Sequence, residues 1–173
     1  MLAAVSIISV RTAGFKITDL GFVDVANGVA LTPGGQILLA GYTIGTKLNN
    51  DFLLERYDTD GTLDTTFGTG GTVKTDFSAG DDFGENLVVD AAGRIILVGE
   101  STSPPFTDMA LARYNADGTP DTGFATNGIL TADFHGRGDF GKDVAIDSQG
   151  RIVAAGYTAN GGDTQFALMR ANP

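Results

Sequence analysis

Two loops carry the residue types best suited to holding a metal ion. Asp58-x-Asp60-Gly61-x-x-Asp64 and Asn115-x-Asp117-Gly118-x-x-Asp121 set oxygen-bearing side chains at alternate positions around a glycine turn, with a further acid three residues on. Calcium takes about six to eight oxygens from loops of this kind. Asp58, Asp60, Asp64, Asn115, Asp117 and Asp121 are therefore candidate calcium ligands. The loop-opening positions are Arg56 and Arg113, a cation where a ligand should stand. The competing reading is a turn whose Asp side chains cap backbone N–H groups, with the arginine neutralising them.

The arginines Arg56, Arg113 and Arg170 recur at one fixed spacing, and so do Asp19, Asp76 and Asp133. Three structural ion pairs, one per repeat, are the economical expectation, because an arginine closing an apolar row needs an acidic or carbonyl partner. The functional alternative is a ring of arginines lining a channel for an anionic ligand.

Other chemistry finds little support. His135 is the single histidine, with no cysteine to complete a metal set. None of Ser6, Ser9, Ser78, Ser101, Ser103 and Ser148 sits in a G-x-S-x-G elbow. Gly68-Thr69-Gly70-Gly71 precedes a strand rather than a helix, so it cannot cradle phosphate at a helix N-terminus. Arg137-Gly138-Asp139 spells an adhesion tripeptide, yet Asp139-Phe140 simply repeats Asp82-Phe83. Adjacent acids such as Asp81-Asp82 read as solvated loop residues. The expectation is a protein that is not an enzyme, with no catalytic or organic-cofactor residues and with calcium as the one candidate cofactor.

The elements that position these residues are short strands. Of 21 acidic residues 18 are Asp, and 25 of the 173 residues are Gly, a chain of turns and capped loops rather than helices. A net charge of −10 without a basic cluster disfavours nucleic acid and anionic membranes as partners. The absence of Cys excludes disulfides and thiol nucleophiles. The apolar run Met1 to Val10 is too short to span a bilayer and reads as an added strand through Val5, Ile7, Ile8 and Val10.

A threefold repeat organises everything after residue 13. Gly14, Gly71 and Gly128 are spaced by 57, as are the arginine and aspartate triplets, while Gly35, Gly93 and Gly150 step by 58 and 57, one residue being gained near Gly80 to Asp82. Each period predicts four strands, which in the middle copy are Asn86 to Asp90, Arg94 to Glu100, Met109 to Tyr114 and Thr72 to Phe77. The first two are joined by a glycine-closed hairpin. The second is apolar nearly throughout and the third on both faces, so each small sheet must stack on copies of itself, as propeller blades do. A β-trefoil is the alternative, although its units tend to be shorter.

The runs Arg56-Tyr57-Asp58-Thr59-Asp60-Gly61-Thr62-Leu63-Asp64-Thr65-Thr66-Phe67 and Arg113-Tyr114-Asn115-Ala116-Asp117-Gly118-Thr119-Pro120-Asp121-Thr122-Gly123-Phe124 resemble the delta-sixty repeat family, as does Gly150-Arg151-Ile152-Val153-Ala154-Ala155-Gly156. The resemblance covers about residues 14 to 170. It implies tandem propeller-like β-repeats of bacterial secreted or surface proteins, hence an extracellular, cell-surface or periplasmic location.

The expected architecture is all-β: an extension over 1–13, then one domain over 14–173 made of three propeller-type four-stranded blades. The run Gly14 to Asp19 is a fourth strand without a sheet, and the last sheet lacks its fourth strand. Since the smallest usual propeller has about four blades, the expectation is two chains completing a six-bladed ring with end strands donated between them, or a fragment of a longer array. The expected role is a structural or interaction module whose partner is itself, as a homodimer, or a larger assembly, with no nucleic acid and no membrane span. A calcium-dependent propeller binding carbohydrate or a small ligand is the second expectation.

Overall fold

The computed structural model describes residues 16–21, 23–44, 49–78 and 80–172. The strand expected at Val5 to Val10, the extension over 1–13 and Gly14 lie outside the described residues. Among the described residues eleven strands form three antiparallel sheets. Sheet 1 runs β1 (Asp24–Leu31), β2 (Ile37–Ile44), β3 (Asn50–Tyr57), β4 (Thr72–Thr75). Sheet 2 repeats it as β5 (Asp82–Val89), β6 (Ile95–Ser103), β7 (Phe106–Tyr114), β8 (Ile129–Ala132). Sheet 3 has β9 (Asp139–Ile146), β10 (Ile152–Asn160) and β11 (Asp163–Ala171), with no fourth strand among the described residues.

Each hairpin between the first two strands of a sheet closes on a glycine with positive φ, at Gly35 (82°), Gly93 (80°) and Gly150 (76°), a conformation that a side chain would resist. Asp90 and Asp147 lock two of these turns: each accepts the side chain of the arginine four residues on, Arg94 and Arg151, at 2.6 Å.

The first strand of sheet 2 starts at Asp82, four residues before the sequence pattern places it. Asp82-Phe83-Gly84 has loop-like composition, but a bulge between Gly84 and Asn86 shifts the register and lets the ladder continue. Sheet 1 carries the same bulge between Ala26 and Gly28. The fourth strand ends at Thr75 rather than Phe77, and residues 16–19, the described part of the expected fourth strand Gly14 to Asp19, form no strand.

Two apolar layers join the sheets. Leu38, Ala40, Phe52 and Leu54 of sheet 1 meet Leu87, Ile95, Leu97 and Ala110 of sheet 2. The opposite face of sheet 2, with Ile96, Val98, Met109 and Leu111, meets Val144, Ile152, Ala154 and Ala167 of sheet 3. The sheets are thus stacked rather than wrapped about a threefold barrel, which sets the trefoil aside. The strands β1, β5 and β9 follow one another along the stack: Asn27 donates to the Gly84 carbonyl at 2.9 Å, and Asn86 to Asp143 at 2.7 Å.

Candidate functional site

Among the described residues, the two ends of the stack are the first feature without a partner. Phe52, Met109 and Phe166 hold the same repeat position on the third strand of each sheet, and the first two are wholly buried while Phe166 is 102% exposed. Leu54 and Leu111 are likewise buried, and their counterpart Leu168 is 68% exposed. At the other end Val29 is 65% exposed, whereas its counterparts Leu87 and Val144 are buried between sheets. One end presents the face that β5 and β9 cover inside the stack, and the other end presents a copy of the covering strand.

Residues 16–18 lie over the outer face of sheet 1 and with it enclose a cleft of about 230 Å³ lined by Asp24, Leu39, Leu53, Glu55 and Tyr57. The hydroxyls of Thr18 and Tyr57 are 2.5 Å apart, and those of Thr75 and Tyr114, each 57 residues later, 2.6 Å apart. Thr18 therefore stands on sheet 1 where Thr75 of β4 stands on sheet 2. The Tyr57 hydroxyl donates to Glu55 at 2.6 Å. Burial raises the Glu55 pKa, and the Tyr57 hydrogen bond opposes that only in part.

The Asp-Gly loops fold around their arginines. Arg56 donates through Nε to Asp64 at 2.8 Å and lies 4.4 Å from the centre of the Phe67 ring. Arg113 does the same with Asp121 at 2.8 Å and Phe124 at 4.5 Å. This corrects the expected pairing of Arg56, Arg113 and Arg170 with Asp19, Asp76 and Asp133. Asp76 directly follows Thr75, which pairs with Phe52 near the start of β3, and Arg56 lies at the other end of that strand. Antiparallel geometry puts about 13 Å between them. Arg170 is exposed, and the 173 residues hold no third Asp-Gly loop to seat it.

The six candidate calcium ligands of these loops are engaged locally. Asp60 accepts the Thr62 amide at 2.9 Å and its hydroxyl at 2.7 Å, and Asp117 accepts the Thr119 amide at 2.9 Å and its hydroxyl at 2.6 Å. Those bonds hold both carboxyls below their ordinary pKa. Asp58 accepts the Gln36 side chain at 3.1 Å, and Asn115 donates to Thr119 at 3.0 Å. Asp64 is lowered by its Thr66 hydrogen bonds and by Arg56. Backbone caps engage Asp60, Asp64, Asp117 and Asp121, whereas Asp58 and Asn115 bond to the side chains of Gln36 and Thr119.

Acidic residues converge elsewhere. Asp51, Asp76 and Asp82 bring carboxylate oxygens within 4.8 Å of one another, and so do their repeat copies Asp108, Asp133 and Asp139. Asp82 and Asp139 are completely buried, which overturns the reading of Asp82 as a solvated loop acid, and burial of Asp139 removes the adhesion tripeptide from display. Each uses Oδ2 to accept an amide at 2.8 Å, from Phe77 and Phe134 respectively, and this holds the turn leading into the sheet. Burial, reinforced by Asp76 and Asp51, pushes Asp82 up to about 6, against hydrogen bonds from Ser101 and the Phe77 amide. Asp19, the first of its triplet, accepts the Gly21 amide at 2.8 Å. Sequence reasoning missed the clusters because it treated the triplet Asp19, Asp76 and Asp133 as partners for arginine. The usable signal was a second triplet, Asp24, Asp82 and Asp139, recurring at steps of 58 and 57 like the hairpin glycines.

One further charge group spans the second junction. Lys142 of β9 pairs with Glu85 and, at 3.3 Å, with Glu100. Burial, with Glu85 adding, raises Glu100 to about 7 although Lys142 pulls the other way.

Small antiparallel sheets stacked face to face through two apolar layers, with repeat-related strands touching along one side, define propeller-type blades. More specifically, the chain belongs to the family described as "Domain of unknown function (DUF5122) beta-propeller", whose model matches residues 33–67, 93–124 and 148–173, more than half of its length. None of the curated proteins compared with it matches. No helix among the described residues is long and apolar enough to cross a membrane.

Proposed function

We propose that this chain is a non-enzymatic interaction module that assembles with a second copy of itself, blade 3 of one copy (sheet 3) stacking on blade 1 of the other (sheet 1). The observation that carries this reading is the pair Phe52 and Phe166, the same residue at the same repeat position, fully buried in one blade and 102% exposed in another. Two three-blade stacks joined end to end at both junctions make a six-bladed ring. Residues 16–18 then lie beside β11, where sheet 3 has no fourth strand among the described residues, and cover an open sheet edge. We assign the repeats to the delta-sixty type and the location to the bacterial exterior on the likeness of the Arg-Tyr strand ends and Asp-Gly loops to that family.

One detail tunes the closing junction. Gly84 and Gly141 each pack on the carbonyl of a glycine in the preceding blade, where a Cβ would come within 2.3 and 2.6 Å of oxygen. Ala26 takes their place on β1, so a blade 3 docking there must stand back by a fraction of an ångström.

Light scattering on the purified chain tests the proposal. A dimer is expected, reduced to a folded monomer by Phe166→Asp or Leu168→Asp. A folded parent chain that remains a monomer at high concentration overturns it.

A further inference from the structure

We propose that Asp108, Asp133 and Asp139 form a calcium site at the junction of blades 2 and 3. The three residues come from different elements: Asp108 from β7, Asp133 from the turn after β8, and Asp139 from the start of β9. Their oxygens lie within 4.8 Å of one another, a spread that suits opposite sides of a shell with ligands at about 2.3–2.6 Å. Asp139 is fully buried in that cluster, and with its Oδ2 bound to the Phe134 amide, its Oδ1 accepts no hydrogen bond. Across the ladder from Asp139 stands Thr158, whose buried hydroxyl also lacks a partner. A wholly buried carboxylate oxygen and a buried hydroxyl without hydrogen-bond partners, beside two further acids, make a set of hard oxygen donors of the kind calcium takes.

No lysine or arginine among the described residues pairs with any of the three acids. Asp133 is exposed and its Oδ1 accepts the Gly136 amide, which leaves Oδ2 and solvent to complete the shell.

The other repeat positions sharpen the assignment. Asp24 stands where Asp139 stands, but its Oδ2 accepts the Leu20 amide at 2.8 Å and its Oδ1 the Thr43 hydroxyl at 2.5 Å, so both oxygens are taken. The position corresponding to Asp108 in blade 3 is Gln165. The closing junction therefore lacks the site. The first junction carries the triple Asp51, Asp76 and Asp82, with Asp51 already accepting the Asn49 side chain at 3.2 Å. A bound ion ties the outer strands of blade 2 to the innermost strand of blade 3 across the turn that connects them. This inference is independent of self-assembly, because the site lies within one chain.

Calorimetric titration of calcium into the full chain, stripped of metal beforehand, tests it, with magnesium as the comparison. The parent is expected to bind calcium, and Asp108→Asn and Asp133→Asn each to lose one binding equivalent per chain. Asp117→Asn, in the Asp-Gly loop, should bind as the parent does. Asp133 is exposed, so its variant keeps the parent's circular dichroism and separates lost binding from lost fold. Absence of calcium uptake by the parent at millimolar concentration overturns the proposal. Parent stoichiometry and affinity in both the Asp108 and Asp133 variants overturn it equally, since the ion then sits elsewhere.

Discussion

Blade 2 and blade 3 are built from nearly the same sequence pattern and differ in what lies against them. Both faces of blade 2 are buried, by Leu54 and Phe52 on one side and by Val144 and Ala154 on the other. Blade 3 buries one face and leaves Phe166 and Leu168 in water. The difference teaches that an apolar strand in this protein is not a core strand by composition. It becomes one when the next blade arrives.

The sharpest way to break that contrast is to truncate the same residue in both settings. Phe52→Ala is expected to destabilise the chain by about 3–5 kcal/mol, the cost of a large cavity between blades. Phe166→Ala, measured by urea unfolding at a concentration where the chain is monomeric, should change stability by less than about 0.5 kcal/mol. Equal losses would mean that the blade 3 face is already covered within the monomer.

The arginines extend the test to charge. Arg113→Ala removes a nearly buried cation and leaves Asp121 without it, and a loss of about 3 kcal/mol in the same unfolding experiment is expected. Arg170→Ala, at an exposed position, should be close to neutral. A large effect at Arg170 would place a partner on it that the single chain does not supply.

Ala26→Gly probes the closing junction by restoring the residue that the internal junctions use. If closure copies the internal geometry, the substitution should tighten dimerisation by about 1 kcal/mol, roughly fivefold, by relieving the close approach. Analytical ultracentrifugation would read this, and weaker association would show that the closing junction packs differently.

The smallest expected effect is pH-dependent. Glu100 releases its proton near 4.5 when unfolded and near 7 when folded. Between those values the folded state binds more protons, so stability falls as pH rises through the window and levels off above it. Glu100→Gln should remove that decline, which full linkage would put at about 3 kcal/mol and solvent screening reduces to about 1 kcal/mol. Urea midpoints of parent and variant from pH 4 to 8 check it, and a pH-independent difference would refute it.

Much of the fold was legible before any coordinates. The spacing of Arg56, Arg113 and Arg170 and the glycine-closed hairpins announced three sheets, and apolar runs such as Ile95 to Val98 announced stacking. The site was less so. Arg56 was assigned to the wrong aspartate, because Asp64 and Asp76 both recur at the repeat period and periodicity cannot say which end of a strand a residue occupies. Asp82 looked solvated because its neighbours Asp81 and Gly80 suit a loop, while the bulge at Gly84 that draws it into the ladder leaves only a faint mark in sequence.

The amino-acid order alone determined that this protein consists of repeating small sheets apolar on both sides, since strand alternation and turn-forming glycine act over a few residues. The tertiary structure decided which carboxylates face arginine, which face one another, and which phenylalanine remains wet. Those outcomes depend on how one blade lies against the next, and a neighbour's distance through space is set by packing rather than by its place in the chain.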